Sequence, residues 1–287
     1  MTDGNLRRIA KQLTPPIVVT GARRVARAAD RQLPEWEYVP EGWAGAASGL
    51  RGWEDPSVLD AYRTQLPQFR ATSEGTAPLA HGTSAAVALG SGSIANQNTM
   101  LAFAYALLLA SRDRDRVSVL DWGGGLGFHA FVARSVLPAG VDLDYHCKEL
   151  PQLCEVGRRE VPEVTFWDDE RALDRVYDLV LASSSLQYSE QWQADLGRLA
   201  GATSSHLFLT RVPVVFHHPA FVVLQRTRGH RFDTEYLSWV FNQESLLGHV
   251  AASGLQLIRE FLIGPGCEAL GAPEPDETRA YLFRVRA

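Results

Sequence analysis

The sequence predicts an α/β fold: a doubly wound domain with a mainly parallel, seven-stranded sheet behind an N-terminal, mostly helical cap. Three observations lead there. Apolar strand patterns alternate with helical ones from about residue 117 to the end of the chain. Such alternation places helices on both faces of a parallel sheet. One apolar strand, Val117-Ser118-Val119-Leu120-Asp121, runs through Trp122 into Gly123-Gly124-Gly125-Leu126-Gly127 and then a helical segment. Finally, 287 residues with 46% hydrophobic content suffice for one large core and a smaller cap.

The elements follow in order. Residues 3–31 read as two helical pieces broken at Thr14-Pro15-Pro16. Their arginines, Arg23, Arg24, Arg27 and Arg31, read first as a solvated face and second as a membrane-surface or anionic-partner helix. Trp36, Trp43 and Trp53 mark an ordered but irregular segment, because each contributes a large apolar area wherever it packs. Residues 56–69 read as a helix with Asp55 as its N-cap. Residues 71–93, rich in Gly, Ser, Thr and Ala, read as a loop or lid. Residues 95–112 form an apolar helix ending in a run of alternating charges. The boundary falls here: a cap over 1–93 and the sheet domain over 94–287.

Within that domain the strands are Val117–Asp121, Val141–Cys147, Val164–Trp167, Tyr177–Ala182, His206–Arg211, Leu255–Ile263 and Arg279–Arg286. The helices are Phe128–Leu137, Leu150–Arg159, Gln191–Ala200 and Asn242–Ser253, the last with Asn242 as its cap and Gly254 at its end. The two closing strands have no clear helix between them, which predicts an antiparallel edge.

The formal charge is −5, but residues 1–31 carry seven basic residues against two acidic ones, so the remainder stands at −10. That balance argues against a general affinity for nucleic acid. Cys147, Cys154 and Cys267 form neither a disulfide framework nor a C-x-x-C zinc site, so they read as reduced structural thiols. No signal-peptide pattern and no run of about 18 apolar residues is present, so a cytoplasmic location is expected. The oligomeric state, with a homodimer among the options, is left open.

The glycine loop sits where a strand meets a helix, the place where open α/β sheets bind ligands. A dinucleotide site needs G-x-G-x-x-G, yet the position for its third glycine is Phe128. The spacing is instead Gly123-x-Gly125-x-Gly127, with Asp121 just ahead of it. Glu149, at the end of the second strand, is a carboxylate suited to both hydroxyls of a ribose. Together with Phe166-Trp167-Asp168-Asp169 after the third strand and Tyr177–Ala182 as the fourth, this order resembles class I S-adenosylmethionine-dependent methyltransferases. The resemblance implies a Rossmann-like fold and S-adenosylmethionine as cofactor, with S-adenosylhomocysteine as product. It implies that Asp121, Gly123, Gly125 and Gly127 wrap the cofactor's amino-acid end. Glu149 would hold the ribose, Asp168 or Asp169 would meet the adenine amino group, and Trp167 would stack on the ring. Ser183, at the end of the fourth strand, is assigned to the cofactor as well.

A narrower resemblance rests on the glycine-loop run, Ser184–Tyr188, Thr210–Pro213, Phe221–Gln225 and Val240–Asn242. These look like a family of bacterial methyltransferases found in polysaccharide and natural-product gene clusters. It implies a small-molecule or sugar-linked acceptor. The alternatives are a non-methylating enzyme on the same fold, such as a cyclase, and a cofactor-binding assembly protein.

Methyl transfer needs the acceptor held in line with a pre-activated methyl, and alignment alone can contribute on the order of 7–11 kcal/mol. Tyr188 and the pair His217-His218 are the catalytic candidates, the imidazoles as bases near neutral pH. His129 reads as structural or cofactor-side. Arg211 reads first as a strand-end salt bridge and second as a binder of an acidic acceptor. No metal is expected. The cap, with its tryptophans and the 71–93 loop, is expected to cover the site and exclude water.

Overall fold

A computed structural model describes residues 33–45, 50–76, 78–79, 94–227 and 234–286. The expected helices at 3–31 and nearly all of the 71–93 loop beyond residue 79 lie outside the described residues. The chain divides into two compact units, Met1–Glu35 and Trp36–Ala287. All that follows concerns the second unit.

Its elements, in chain order, are β1 (Trp36–Val39), α1 (Pro56–Glu74), α2 (Ile94–Ala110), β2 (Arg116–Trp122), α3 (Phe128–Val136), β3 (Asp142–Lys148), α4 (Pro151–Glu160), β4 (Thr165–Trp167), β5 (Tyr177–Ser183), α5 (Trp192–Gly201), β6 (Thr203–Val215), β7 (Phe221–Arg226), β8 (Glu235–Asn242), α6 (Gln243–Ala252), β9 (Leu255–Pro265) and β10 (Glu277–Val285). Seven strands form the doubly wound sheet in the order β4-β3-β2-β5-β6-β10-β9. The first five are mutually parallel, and β10 runs antiparallel to both β6 and β9, the expected edge.

Side chains alternate between two cores, as buried parallel strands require. On β5, Leu179 and Leu181 enter one core while Val180 and Ala182 enter the other. On β10, Ala280 and Leu282 oppose Tyr281 and Phe283 in the same way. The first core also takes Phe69 of α1, Phe103 of α2 and Phe131 of α3. The second takes Trp192 and Leu196 of α5 and Leu246 of α6.

Helix α1 starts where the sequence places it. Asp55 accepts from the Ser57 backbone N–H at 2.9 Å, and Pro56 occupies the first turn, where its missing N–H costs nothing. The helix runs five residues past the expected end, through Pro67. Pro67 is exposed, so the carbonyl it leaves unpaired faces water, while Leu66 and Phe69 stay buried.

Three strands were not read from the sequence as strands. β1, β7 and β8 form an antiparallel sheet that joins the main one through β6, where Val214 and Val215 pair with Phe241 and Asn242. β6 is long enough for both tasks. It pairs with β5 as far as Thr210 and with β8 from Val214 onward. Between the two stretches lies a bulge, where Thr210 and Arg211 stand opposite the single residue Ala280 of β10. Among the described residues, no helix is long and apolar enough to cross a membrane.

Candidate active site

A cavity of about 620 Å³ lies at the carboxyl ends of β2, β3, β5 and the first stretch of β6. One wall is the glycine loop. Gly123, Gly125 and Gly127 take left-handed φ values of +75°, +62° and +74°. That backbone is costly for any side chain with a Cβ. Gly124 is glycine for another reason: a Cβ there would lie 2.4 Å from Cγ of Asp121. The Asp121 carboxylate is fully buried, accepts from the Tyr145 hydroxyl at 2.8 Å and stands 3.3 Å from Nδ1 of His129. Its Oδ1 has no hydrogen-bond partner among the described residues. His129 is thereby placed beside Asp121, under the loop.

Glu149 closes this wall. Its two oxygens accept from the backbone N–H of Gly125 at 3.1 Å and of Leu150 at 2.6 Å. Burial nonetheless raises its carboxyl to about 7, against the lowering effect of those two N–H donors. Each oxygen keeps accepting capacity toward the cavity, which is what a vicinal diol would use.

The opposite wall is aromatic. Trp53 stacks on Tyr236 with centroids 4.6 Å apart, and Tyr188 meets both edge-on at 5.0 and 5.3 Å. Trp36 completes it, while Tyr62, from α1, stands between this wall and the glycine loop, where a Cβ on Gly125 would lie 3.3 Å from its ring. Tyr188 donates to Oε1 of Gln225 at 3.1 Å, and burial pushes its phenol up to about 12. It therefore stays protonated at neutral pH. Two strained residues form the floor between the walls, Ser184 at φ +53° and Arg211 at φ +55°. Gln187, itself buried, ties them together through one amide nitrogen, 3.0 Å from the Ser184 hydroxyl and 3.2 Å from the Arg211 carbonyl.

The structure brings together Gly123, Glu149, Ser183 and Tyr188 around the cavity, with Gly125 and Gly127 in the loop behind them. The other predicted residues have partners of their own in the structure. Asp168 pairs with Arg158 at 3.0 Å, and Asp169 caps the turn at 170–174 and pairs with Arg171 at 2.7 Å. Trp167 donates from Nε1 to Nδ1 of His146 at 2.9 Å. None of the three lines the cavity. Leu150 and Leu153 line it instead, beside the charge network of Lys148, Glu170, Arg198 and Asp195. His217 and His218 also lie outside it. Their backbone N–H groups donate to the Glu274 carboxylate, and the His218 ring sits 2.8 Å from the Pro219 carbonyl. These contacts fix the backbone of the loop that carries both residues. Arg211, read first as a strand-end salt bridge, makes none with any described residue; its guanidinium donates to the Ser183 hydroxyl and carbonyl.

No family model matches the chain. A protein-L-isoaspartate O-methyltransferase from Methanothrix thermoacetophila is 31% identical over 157 residues, which span 54% of this chain and 67% of that protein. The chain belongs to the S-adenosylmethionine-dependent methyltransferases. A magnesium protoporphyrin IX methyltransferase from Synechocystis PCC 6803, solved with bound S-adenosylmethionine, superposes with a TM-score of 0.50 at 13% identity. It covers 84% of this chain and all of that one, and shows that the methyltransferase shares its fold. S-adenosylmethionine is thus the cofactor. The wall chemistry fits it, with a half-buried carboxylate at Glu149 for hydroxyl donors, an Asp121 Oδ1 without a partner among the described residues and a glycine-rich loop.

The site residues that sequence reasoning missed are Tyr62 and Tyr236. Tyr62 stands on a helix face that reads as core packing, and Tyr236 on a strand that was not recognised.

Proposed function

We propose that this methyltransferase transfers a methyl group to a small-molecule acceptor bound against the aromatic wall. The observation that supports this is a single cavity that joins the glycine loop and Glu149 to Trp53, Tyr62, Tyr188 and Tyr236. The resemblance to gene-cluster methyltransferases points to a natural-product or sugar-linked intermediate.

In this reading Glu149 accepts the ribose hydroxyls, and the loop from Gly123 to Gly127 wraps the amino-acid end. Asp121 sets the loop's shape from beneath, with its Oδ1 left for a donor. Ser183 marks the junction between the cofactor and acceptor ends. The cofactor supplies a methyl group already activated on a sulfonium. The chain's own contribution is position. The aromatic wall fixes the acceptor's plane, the strained floor holds the polar groups beneath it, and the buried surroundings exclude water. Tyr188, protonated, donates and orients; it does not remove a proton.

The test is calorimetry with S-adenosylhomocysteine on the wild type and Glu149→Ala, followed by transfer of labelled methyl to a panel of small aromatic hydroxy, amino and carboxylic acids. An isoaspartyl peptide serves as the protein-type acceptor. Loss of binding in Glu149→Ala with transfer to a small molecule is expected. Unchanged binding in that variant, or transfer to the peptide alone, would overturn the reading.

A further inference from the structure

Among the described residues, Arg211 is the one cation lining the cavity that forms no ion pair with a carboxylate. The other two cations there are paired. Lys148 stands 3.0 Å from Glu170, and Arg198 contacts Glu170 and Asp195. Among the described residues, the guanidinium of Arg211 donates only to neutral oxygens, the Ser183 hydroxyl at 3.2 Å and the Ser183 carbonyl at 3.1 Å. Two other carboxylates line the cavity, and both spend their oxygens on backbone N–H groups. Glu149 takes those of Gly125 and Leu150, and Asp276 takes that of Cys267 at 3.0 Å to each oxygen, plus the thiol.

A guanidinium has five N–H donors, and two hydrogen bonds leave most of that fork unused. Keeping a charge in a half-buried site without an ion-pair partner is costly. Burial indeed lowers the pKa of Arg211. Its backbone adds a second cost, a left-handed conformation in a bulge that turns this residue out of the strand's alternation. Gln187 holds that conformation from below. Strain gathered at one unpaired cation, beside an aromatic wall, marks a ligand contact.

Resting on the small-molecule reading above, we propose that the acceptor is a flat molecule bearing a carboxylate, and that Arg211 is the residue that receives the carboxylate. A carboxylate matches the planar fork with two parallel hydrogen bonds. The stacked Trp53 and Tyr236 rings, with Tyr188 edge-on, supply the surface for the flat part. A cavity of about 620 Å³ that also holds the cofactor leaves room for a small acid.

The experiment uses full-length protein saturated with S-adenosylhomocysteine and follows 4-hydroxybenzoate, 4-hydroxybenzamide and phenyl phosphate by ligand-observed NMR titration. The acid is expected to bind at least about tenfold tighter than the amide, a difference of about 1.4 kcal/mol. Arg211→Gln is expected to erase that preference while leaving S-adenosylhomocysteine affinity within about threefold. Arg211→Lys, which keeps the charge without the fork, is expected to retain part of it. Equal binding of acid and amide, no binding of the acid, tighter binding of the phosphate, or a preference that survives Arg211→Gln would each overturn the proposal. The acid-against-amide comparison in the wild type needs no variant, so a poorly folded Arg211→Gln does not remove the test. Failure of S-adenosylhomocysteine to bind the wild type would instead strike the cofactor assignment, leaving the two failures distinguishable.

Discussion

The two walls of the cavity are built on different principles. The cofactor wall is local and made mostly of backbone: Asp121 and the glycine loop lie within seven consecutive residues, and Glu149 binds that loop's N–H from the next strand. The proposed acceptor wall is assembled from Trp53, Tyr188 and Tyr236, with Arg211 in the floor beside it, residues that only the folded chain brings together. A wall made of backbone tolerates little substitution, because its shape is its chemistry. A wall made of side chains on a bulge and an added sheet can change specificity without disturbing the first. Substitutions on the two walls should therefore separate cleanly in their effects.

The largest effect is expected at Gly124→Ala. The new Cβ would lie 2.4 Å from both Cγ and Oδ2 of Asp121, and Asp121 is pinned by Tyr145 and stands against His129. Overpacking of this kind costs about 1–3 kcal/mol. S-adenosylhomocysteine binding should fall about 100-fold by calorimetry, and the melting temperature should drop by several degrees. Gly197→Ala, on α5, where a Cβ meets nothing within 4 Å, should leave both unchanged.

Glu149→Gln comes next. It keeps the shape but places an amide where two backbone N–H groups need acceptors, an arrangement that costs about 1–3 kcal/mol. Cofactor affinity should fall about 10- to 100-fold, with the acid-against-amide preference at Arg211 intact. The wild type should also show a pH signature. The Glu149 carboxyl stands near 7 because burial favours its neutral form. Hydroxyl donors favour the ionised form, so binding lowers that pKa and releases a proton. Affinity should therefore rise with pH through about 7 and level off above it, and the rise should vanish in Glu149→Gln. In the empty protein the sign is opposite. A raised carboxyl binds more protons folded than unfolded, so stability from this group is full below about 4.5 and is lost as pH climbs through about 7.

A smaller, wall-specific effect is expected at Gln187→Leu. Without its amide, the Ser184 hydroxyl and Arg211 carbonyl lose their shared donor, and the left-handed conformation of Arg211 loses one of its supports. The acid preference should weaken about three- to tenfold while cofactor affinity stays put. Equal losses on both sides would mean that the walls are coupled through the floor.

What could be seen in the sequence follows the same division. The glycine loop, Glu149 and the seven strands of the main sheet were legible because each is a short-range pattern: an apolar strand, a turn that needs missing side chains, a periodic helix. Asp168 and Asp169 fit the family pattern equally well, yet Arg158 and Arg171 claim them, and no spacing rule shows which carboxylates already have partners. β7 and β8 were passed over because their apolar runs are buried without strict alternation and have no helix between them. With β8 unseen, Tyr236 had no place. Arg211 was named but misread, since a strand-end arginine ordinarily finds a carboxylate, and the absence of one depends on the whole neighbourhood.

The smallest effect, and the one that tests whether either histidine acts as a base, is expected for the double substitution His217→Ala and His218→Ala. Both residues donate backbone N–H to Glu274, an interaction that survives any side chain except proline. His217 is exposed, and the His218 ring contacts the edge of Phe221 and the Pro219 carbonyl. Truncating them removes one exposed ring and one half-buried contact, a cost of about 0.5–1 kcal/mol or less. Methyl transfer should keep its rate and pH profile within about twofold. A base contributes roughly 10²–10⁴-fold, so a true base at either position would announce itself as a collapse in kcat and the loss of a titration near the imidazole pKa. Retention of both would leave transfer resting on position, on the protonated Tyr188 and on the two walls alone.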